Sequence, residues 1–164
     1  MTDRPSGADR PARLDRRRRP GPPVSPQVAG ARRAFPLTIP PELTAYILDF
    51  HWDVELLHAL DLPTVELPVA ELAHHLDLPF WAYDGPFQVT PRQVAADPVR
   101  YHAQYERTLT ADLRHPIDVV HRPDNRLTIL DGIHRLLRAT LEGHQTLDAR
   151  ILPWSALDEI AVRG

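Results

Sequence analysis

The stretch that most constrains this fold lies in the last third of the chain, where the spacing of apolar residues changes abruptly. Residues 127–130 have the apolar and β-branched character of a strand, which ends at Asp131 and Gly132. From Ile133 onward the apolar residues recur at helical spacing, and Gly143 supplies a typical C-terminal stop signal. The pattern therefore predicts a strand that turns directly into a helix.

The predicted start of this helix combines residues that suit an anion. Asp131 is a good N-cap residue, and His134 and Arg135 fall in the first turn, off the apolar stripe. The free N–H groups of a helix N-terminus, a glycine that lets the backbone approach closely, and an arginine together favour a phosphate. The predicted phosphate-binding residues are Gly132, Ile133, His134 and Arg135.

Each of these residues also has an ordinary structural interpretation. Gly132 can simply tighten the turn, and capping alone is the commoner role for an aspartate such as Asp131. His134 can be a solvated surface histidine, and Arg135 can pair with an acid on the neighbouring helix, for instance Asp112. One such residue is uninformative, whereas the four together favour an anion site.

If the site also performs chemistry, its ionisable residues have defined roles. Asp131 would hold a magnesium ion or act as a base toward a hydroxyl group. His134 would stabilise or protonate the transferring group. Asp131 and His134 are therefore the candidate catalytic residues, and Asp131 is the candidate metal ligand.

The composition excludes several other kinds of site. The chain has no cysteine, which removes disulfides, thiolate metal centres and cysteine nucleophiles. All 19 basic residues are arginine, so no lysine is present for a P-loop or for the Schiff base that PLP requires. His74 and His75 are adjacent and are expected to point apart, and His51, Asp53 and His58 lack a recognised zinc-ligand spacing. We therefore predict no zinc, haem or PLP site.

The N-terminal region differs sharply from the rest of the chain. Residues 1–36 contain seven of the 18 prolines and nine arginines against three acidic residues, whereas the other ten arginines are outnumbered by 19 acids. We predict a disordered basic tail over residues 1–38 and a folded domain over residues 39–164. The tail is either a basic arm that contacts nucleic acid or an acidic partner, or a solvated extension, or the product of a start site placed too far upstream.

The body of the chain predicts a small α/β (α+β) domain in which helices and strands alternate. The expected elements, in chain order, are one bent or two short helices (43–60), a strand (63–69), a short helix (70–76), a loop (79–91), helical segments between Thr90 and Leu113, a hairpin (117–121 and 126–130), the helix after Gly132, a strand (147–152) and a short terminal helix or coil (154–162).

This order of elements resembles the ParB/sulfiredoxin-like superfamily. The likeness covers about residues 64–153, and it rests on the strand at 116–120, the stretch 127–135 and the closing strand at 149–153, together with Ala139 and Gly143. The resemblance implies a small mixed sheet with a strand–hairpin–helix–strand core and helices packed on it. Members of the superfamily include CTP-binding partitioning proteins, ATP-using sulfiredoxins, free-serine kinases and proposed nucleases.

The resemblance also implies roles for particular residues. Gly132 and Arg135 match the phosphate-binding glycine and arginine of the superfamily. His134 and Arg135 match the His-Arg of the sulfiredoxin motif, and Asp131 with Gly132 matches the Asp-Gly of kinase-like members. Family members place polar residues of the preceding helix near the nucleotide, which gives a second tier of candidates at or near the same edge: Arg107, Asp112, His115 and Arg138.

Two departures from the superfamily restrict the activity. Ile133 stands where a sulfiredoxin has its nucleophilic cysteine, so sulfiredoxin chemistry is not expected. The sequence runs only about twenty residues past Gly143, so we do not expect operator binding through a helix-turn-helix of the kind that partitioning proteins use.

Three function classes remain at this point. The favoured one is a nucleotide-binding module of CTP or ATP type, whose bound state regulates a protein partner. The second is a small-molecule kinase or nucleotide hydrolase that uses Asp131 and His134. The third is a DNA-associated protein that binds nucleic acid weakly through residues 1–36. Since no signal peptide and no long apolar run is found, we expect a cytoplasmic protein without membrane contact.

Overall fold

A computed structural model describes residues 30–164. Its centre is a four-stranded mixed sheet with helices packed on it, as the sequence predicts. The strands are β1 (Thr64–Pro68), β2 (Ile117–His121), β3 (Leu127–Asp131) and β4 (Thr146–Pro153). The α-helices are α1 (Val54–Ala59), α2 (Val69–Leu72), α3 (Pro91–Ala96), α4 (His102–Thr110) and α5 (Ile133–Leu141). Short 3-10 helices cover Pro41–Leu43, Ala73–Asp77 and Trp154–Glu159.

The strand order in the sheet is β1-β4-β2-β3. Strands β2 and β3 form the predicted antiparallel hairpin, and β1 pairs antiparallel with β4. The two central strands, β2 and β4, run parallel, with β3 and α5 in the connection between them. The predicted α+β fold, the hairpin and the direct step from strand to helix are all confirmed.

The sheet has an apolar cluster on each face. The larger cluster packs α5, α2 and α3 against the sheet, and the smaller one packs α1 and the C-terminal 3-10 helix against it. Sheet residues of the larger cluster are Ile117, Val119, Ile129, Leu147 and Ala149, and those of the smaller cluster are Val120 and Leu152. Neighbouring residues of β2 thus contribute to opposite faces, as strand geometry requires.

Local sequence signals account for where the shorter helices begin. Thr90 and Gln93 form a capping box at α3, with Pro91 at the first helical position. The region 43–60 forms only one α-helix, α1. It begins after Asp53, whose side chain caps it by accepting hydrogen bonds from the first-turn N–H groups of Glu55 and Leu56. Of the one bent or two short helices predicted over residues 43–60, the structure therefore has one α-helix, which starts after Asp53.

Three expectations need correction. The cap of α5 is Gly132 and not Asp131, whose side chain makes no capping hydrogen bond. His74 and His75 do not point apart, since their ring centroids are 4.1 Å apart and His75 is drawn into the core by two hydrogen bonds. The segment 30–35, predicted as tail, pairs with the body: Arg33 N donates to Val162 O at 2.9 Å.

The rest of the predicted tail, and with it most of the basic arm, lies outside the described residues. Within the described part, Arg32 is already engaged, because its Nε lies 2.7 Å from Asp158 Oδ1 and its guanidinium lies over the Phe50 ring. Among residues 30–164, no helix has both the length and the apolar character that crossing a membrane requires.

Candidate functional site

The site is built on a row of charged residues that crosses three neighbouring strands. Asp118 on β2 lies opposite Asp131 on β3, and on its other side it lies opposite Arg150 on β4. Residues that are directly opposite in adjacent strands have side chains on the same face of the sheet. The row therefore concentrates two carboxylates and a guanidinium at one place.

A bulge in β3 places Asp131 in this row. Val119 pairs with Ile129, but the next pair is Asp118 with Asp131, so Leu130 is an extra residue on β3. Ile129 packs into the larger cluster, while Leu130 packs against the smaller cluster on the other face. Without the extra residue, alternation would put Asp131 on the same face as Ile129. The bulge turns its carboxylate toward Asp118 instead.

Helix α1 delivers a histidine to the row. His58 Nε2 lies 3.0 Å from Asp131 Oδ2 and 3.6 Å from Asp118 Oδ2. The helix is fixed to the sheet by Arg150, whose Nη2 donates to Leu57 O at 2.8 Å and whose Nη1 donates to His58 O at 3.3 Å. Arg150 therefore satisfies carbonyls at the C-terminal end of α1 and holds the histidine over the two carboxylates.

Asp118 is the buried member of the group, with only 3% of its surface exposed. Its Oδ1 lies 3.0 Å from Arg150 Nε, but this oxygen accepts no hydrogen bond within residues 30–164. The contact is therefore an ion pair without hydrogen-bond alignment. Burial raises the pKa of the Asp118 carboxyl, and nearby Asp131 raises it further, whereas Arg150 and His58 lower it.

Gly132 and Arg135 form the turn after β3. Gly132 has φ of +113°, a conformation that favours glycine, and a Cβ there would lie 2.6 Å from Ile117 Cγ2. The same Cβ would lie 3.0 Å from the Arg135 guanidinium, so the glycine makes room for this side chain. Arg135 Nη2 donates to Asp131 Oδ2 at 3.0 Å. Arg135 therefore does pair with an acid, as its ordinary structural interpretation has it, but the acid is Asp131 and not Asp112, which is bound to Arg114.

Two adjoining cavities open beside Arg135. The larger, of about 410 Å³, is lined by His58, His115, Pro116, Asp118, Arg135 and Arg150. The smaller, of about 250 Å³, is lined by Ala111, Asp112, His115, Asp131, Gly132, His134 and Arg135. His115 and Arg135 belong to both walls, so we treat the two cavities as one cleft, called the Arg135 cleft below. The start of α5 faces this cleft.

His134 lies at the wall of the Arg135 cleft, but its ring is not free in solvent. The imidazole stacks on Trp81, with centroids 4.2 Å apart, and its Nε2 lies 2.8 Å from Gln104 Oε1. Burial lowers the pKa of His134 to about 4, and the charges of Arg107 and Arg135 lower it as well. At neutral pH the imidazole is therefore uncharged and donates its Nε2 proton to Gln104.

The other predicted residues are divided between the cleft and its surroundings. Asp112 and His115 line the cleft, and Arg114 holds the pKa of the Asp112 carboxyl well below its usual range. The Ile133 side chain packs against the larger apolar cluster, and Ile133 is not among the residues that line either cavity of the cleft. Arg107 is exposed. Arg138 points elsewhere, because it donates to Ala111 O and Glu142.

The sequence interpretation missed three members of the site, His58, Asp118 and Arg150. A signal for Asp118 was present, since a charged residue interrupts a strand that is otherwise fully apolar over Ile117–Val120. Arg150 gave a weaker signal of the same kind, in a strand whose neighbouring positions are apolar. His58 gave none, because nothing in the helical pattern of α1 relates it to residues 60 or more positions away.

The donor atoms of His58, Asp118 and Asp131 all lie within 4.8 Å of one another, a spacing that could hold a metal ion. Comparisons with known proteins do not assign the site. No family model matches the chain, and neither the curated proteins nor the solved structures contain a match. The resemblance to the ParB/sulfiredoxin-like superfamily therefore stays a prediction, and the function has to be argued from the geometry of the cleft.

Proposed function

We propose that this protein binds a phosphate-bearing ligand of the nucleotide type in the Arg135 cleft. The observation that carries the proposal is the position of Arg135, which lines both cavities at the start of α5. Its hydrogen bond to Asp131 uses Nη2 only, so donors of the guanidinium fork remain for a ligand. Backbone N–H groups at the start of α5 add to the attraction for an anion.

The charges around the larger cavity support the same ligand class. Its wall carries the guanidiniums of Arg135 and Arg150 and the imidazoles of His58 and His115, against one carboxylate, Asp118. In this cavity the two guanidiniums exceed the one carboxylate, which favours a negatively charged ligand there, whereas the smaller cavity adds the carboxylates of Asp112 and Asp131. A volume of about 410 Å³ is also within the range of small-molecule sites. The proposal includes the predicted regulation of a partner protein by the bound nucleotide. This regulatory role comes from the superfamily resemblance and not from a contact in the cleft.

Isothermal titration with CTP, ATP and GTP in the presence of Mg²⁺ tests the proposal. We expect at least one nucleotide to bind with a submillimolar Kd, and Arg135→Gln to weaken it about tenfold or more, because a charge-assisted hydrogen bond is lost. Arg92→Gln is the matched control, since Arg92 also pairs with an aspartate but lies outside the cleft. Absence of binding below the millimolar range for all three nucleotides would contradict the proposal.

A phosphotransferase or nucleotide hydrolase is the second candidate. The specific observation in its favour is that two carboxylates, Asp118 and Asp131, lie beside Arg135, where they could hold a cation or accept a proton. His134 is the weaker of the two predicted catalytic residues, because its neutral ring is already stacked and hydrogen-bonded. The test is turnover of the bound nucleotide in the wild type and in Asp131→Ala and His134→Ala. Equal turnover in all three proteins would contradict this candidate.

A further inference from the structure

We propose that His58, Asp118 and Asp131 bind a divalent transition-metal ion of the Mn²⁺ type inside the Arg135 cleft. His58 Nε2 is 3.0 Å from Asp131 Oδ2 and 3.6 Å from Asp118 Oδ2, and all three donor atoms lie within 4.8 Å of one another. Ligands of an octahedral ion at about 2.2 Å are roughly 3 Å apart when adjacent and about 4.4 Å apart when opposite. Both separations from His58 fall within this range, and the two carboxylate oxygens lie at most 4.8 Å apart, so an ion fits with small side-chain movements.

A second and independent observation points to a ligand at this place. Asp118 is more than nine-tenths buried, and its Oδ1 forms only an ion pair with Arg150 Nε at 3.0 Å, without a hydrogen bond within residues 30–164. Its Oδ2 is the oxygen nearer His58 and lies 3.6 Å from His58 Nε2, beyond hydrogen-bond distance. Buried carboxylates are ordinarily satisfied by several hydrogen bonds, because desolvation of the charge is costly. A cation between Asp118, Asp131 and His58 would contact Oδ2 and leave the ion pair of Oδ1 with Arg150 in place.

The third ligand, His58, is held in position by α1 and is accessible from solvent. His58 comes from α1, which is capped at its start by Asp53 and bound at its end by Arg150. The His58 side chain is 46% exposed, so an ion reaches the three donors from solvent. In the metal-free protein the Nε2 proton occupies the position between His58 and Asp131, and a bound ion would take its place.

The donor set decides the kind of metal. Mg²⁺ and Ca²⁺ prefer oxygen ligands alone, whereas an imidazole combined with two carboxylates suits a first-row transition metal that also accepts oxygen donors. All three ligand residues line the Arg135 cleft, so a ligand bound in the cleft is close to the ion. A phosphate oxygen could complete the shell; that step rests on the proposed function, whereas the metal site does not.

Titration of the full chain with Mn²⁺ alone, followed by the electron paramagnetic resonance signal of free Mn²⁺, tests the site. We expect one ion per chain with a Kd on the order of 100 μM or lower. His58→Gln and Asp118→Asn should each weaken binding at least about tenfold, since each removes one ligand of three. Mg²⁺ at equal concentration should not displace Mn²⁺, because it gains little from the imidazole.

The matched control is His144→Gln. His144 is also an exposed histidine 3.0 Å from a carboxylate, that of Glu142, but it has no second acid in its metal-ligand range within the described residues. This variant should bind Mn²⁺ as the wild type does. Circular dichroism melts of all variants establish that each is folded, and His58, being exposed, is the substitution least able to disturb the core.

Three results would overturn the metal site: no binding of Mn²⁺ below 1 mM, as an order-of-magnitude limit, unchanged binding in His58→Gln and Asp118→Asn, or full displacement by an equal concentration of Mg²⁺. The titration contains no nucleotide, so its failure leaves the proposed function standing. Conversely, nucleotide binding that is lost in Arg135→Gln but insensitive to Mn²⁺ would support the proposed function without the metal.

Discussion

Within residues 30–164 two ionisable side chains, His75 and Asp118, are buried against the sheet, and their hydrogen bonding differs. His75 has no exposed surface; its Nδ1 lies 2.9 Å from Leu72 O, and its Nε2 accepts from Ile129 N at 3.2 Å. Both ring nitrogens are used by the neutral imidazole, and burial lowers the pKa of His75 to about 4. Asp118 is equally buried but lacks a hydrogen bond at Oδ1.

This difference distinguishes His75, a side chain that stabilises the fold, from Asp118, a side chain that is available to bind a ligand. His75 satisfies a backbone N–H of β3, the edge strand of the sheet, and so it completes the fold. Asp118 has an ion pair with Arg150 but no hydrogen bond at Oδ1, so its carboxylate is incompletely satisfied by the fold. Replacing His75 should therefore cost stability, whereas replacing Asp118 should cost binding.

The largest effect on stability is expected for His75→Ala. The substitution leaves a cavity and removes the partner of Ile129 N, which should lower the free energy of unfolding by about 3 kcal/mol. Urea unfolding measures this change. His144→Ala, which alters an exposed histidine, should change the stability by less than about 0.5 kcal/mol. If the two variants are equally stable, His75 is not the structural group described above.

Gly132→Ala should have the next largest effect, because it strains the turn that carries Asp131 and Arg135. The new Cβ would clash with Ile117, and the backbone at φ of +113° disfavours alanine, so we expect a loss of about 2–3 kcal/mol together with weaker nucleotide binding. Gly143→Ala is the control, since its φ is also positive but no atom lies within 4 Å of the added Cβ. It should cost only about 1 kcal/mol and leave binding unchanged.

The pH dependence of stability should reveal the burial of His75. Between its unfolded pKa of 6.5 and its folded pKa of about 4, the unfolded chain binds more protons, so stability falls as the pH falls. Between pH 7 and pH 5 the contribution of His75 to this loss should be about 2 kcal/mol, and His134, whose pKa is also lowered to about 4, should add a similar amount. Urea unfolding at the two pH values measures it, and His75→Gln should show a correspondingly smaller difference. An equal difference in both proteins would contradict this assignment.

Asp118→Asn should change the stability least. Because burial raises the pKa of Asp118, the fold does not favour its charged form, and a neutral isostere should alter the metal-free stability by less than about 1 kcal/mol. Arg150 retains its hydrogen bonds to the end of α1. A loss above 3 kcal/mol, as for a broken buried ion pair, would show that Asp118 is structural like His75, and would remove the contrast between them.

Local signals were sufficient for most of the fold. The change of apolar spacing at Asp131 and Gly132 predicted the step from β3 to α5, and Gly143 predicted its end with φ of +75°. The hairpin followed from a turn between two apolar runs. The helices before the hairpin were predicted with less success. Over residues 43–60 the apolar spacing is compatible with a helix throughout, but much of this segment is irregular. Such short segments depend on tertiary packing more than on propensity.

The site was predicted only in part. Gly132, Arg135, Asp112 and His115 were expected near the anion, and all four line the Arg135 cleft. Asp131 was expected to cap the helix, but the bulge at Leu130 turns its side chain away from the helix end and toward Asp118. No periodic pattern in the sequence reveals one extra residue in a strand pair, because the pairing partner is needed to count it.

The sequence by itself determined the local features of this protein: the strand, the glycine turn and the helix that follows it, because these depend on the spacing and backbone preferences of neighbouring residues. Only the tertiary structure decided which charges meet there. His58 lies 73 positions from Asp131 in the chain and 3.0 Å from it in space, and Arg150 joins them from a parallel strand. Burial and distance set the electrostatics of a site, and both are properties of the packed chain.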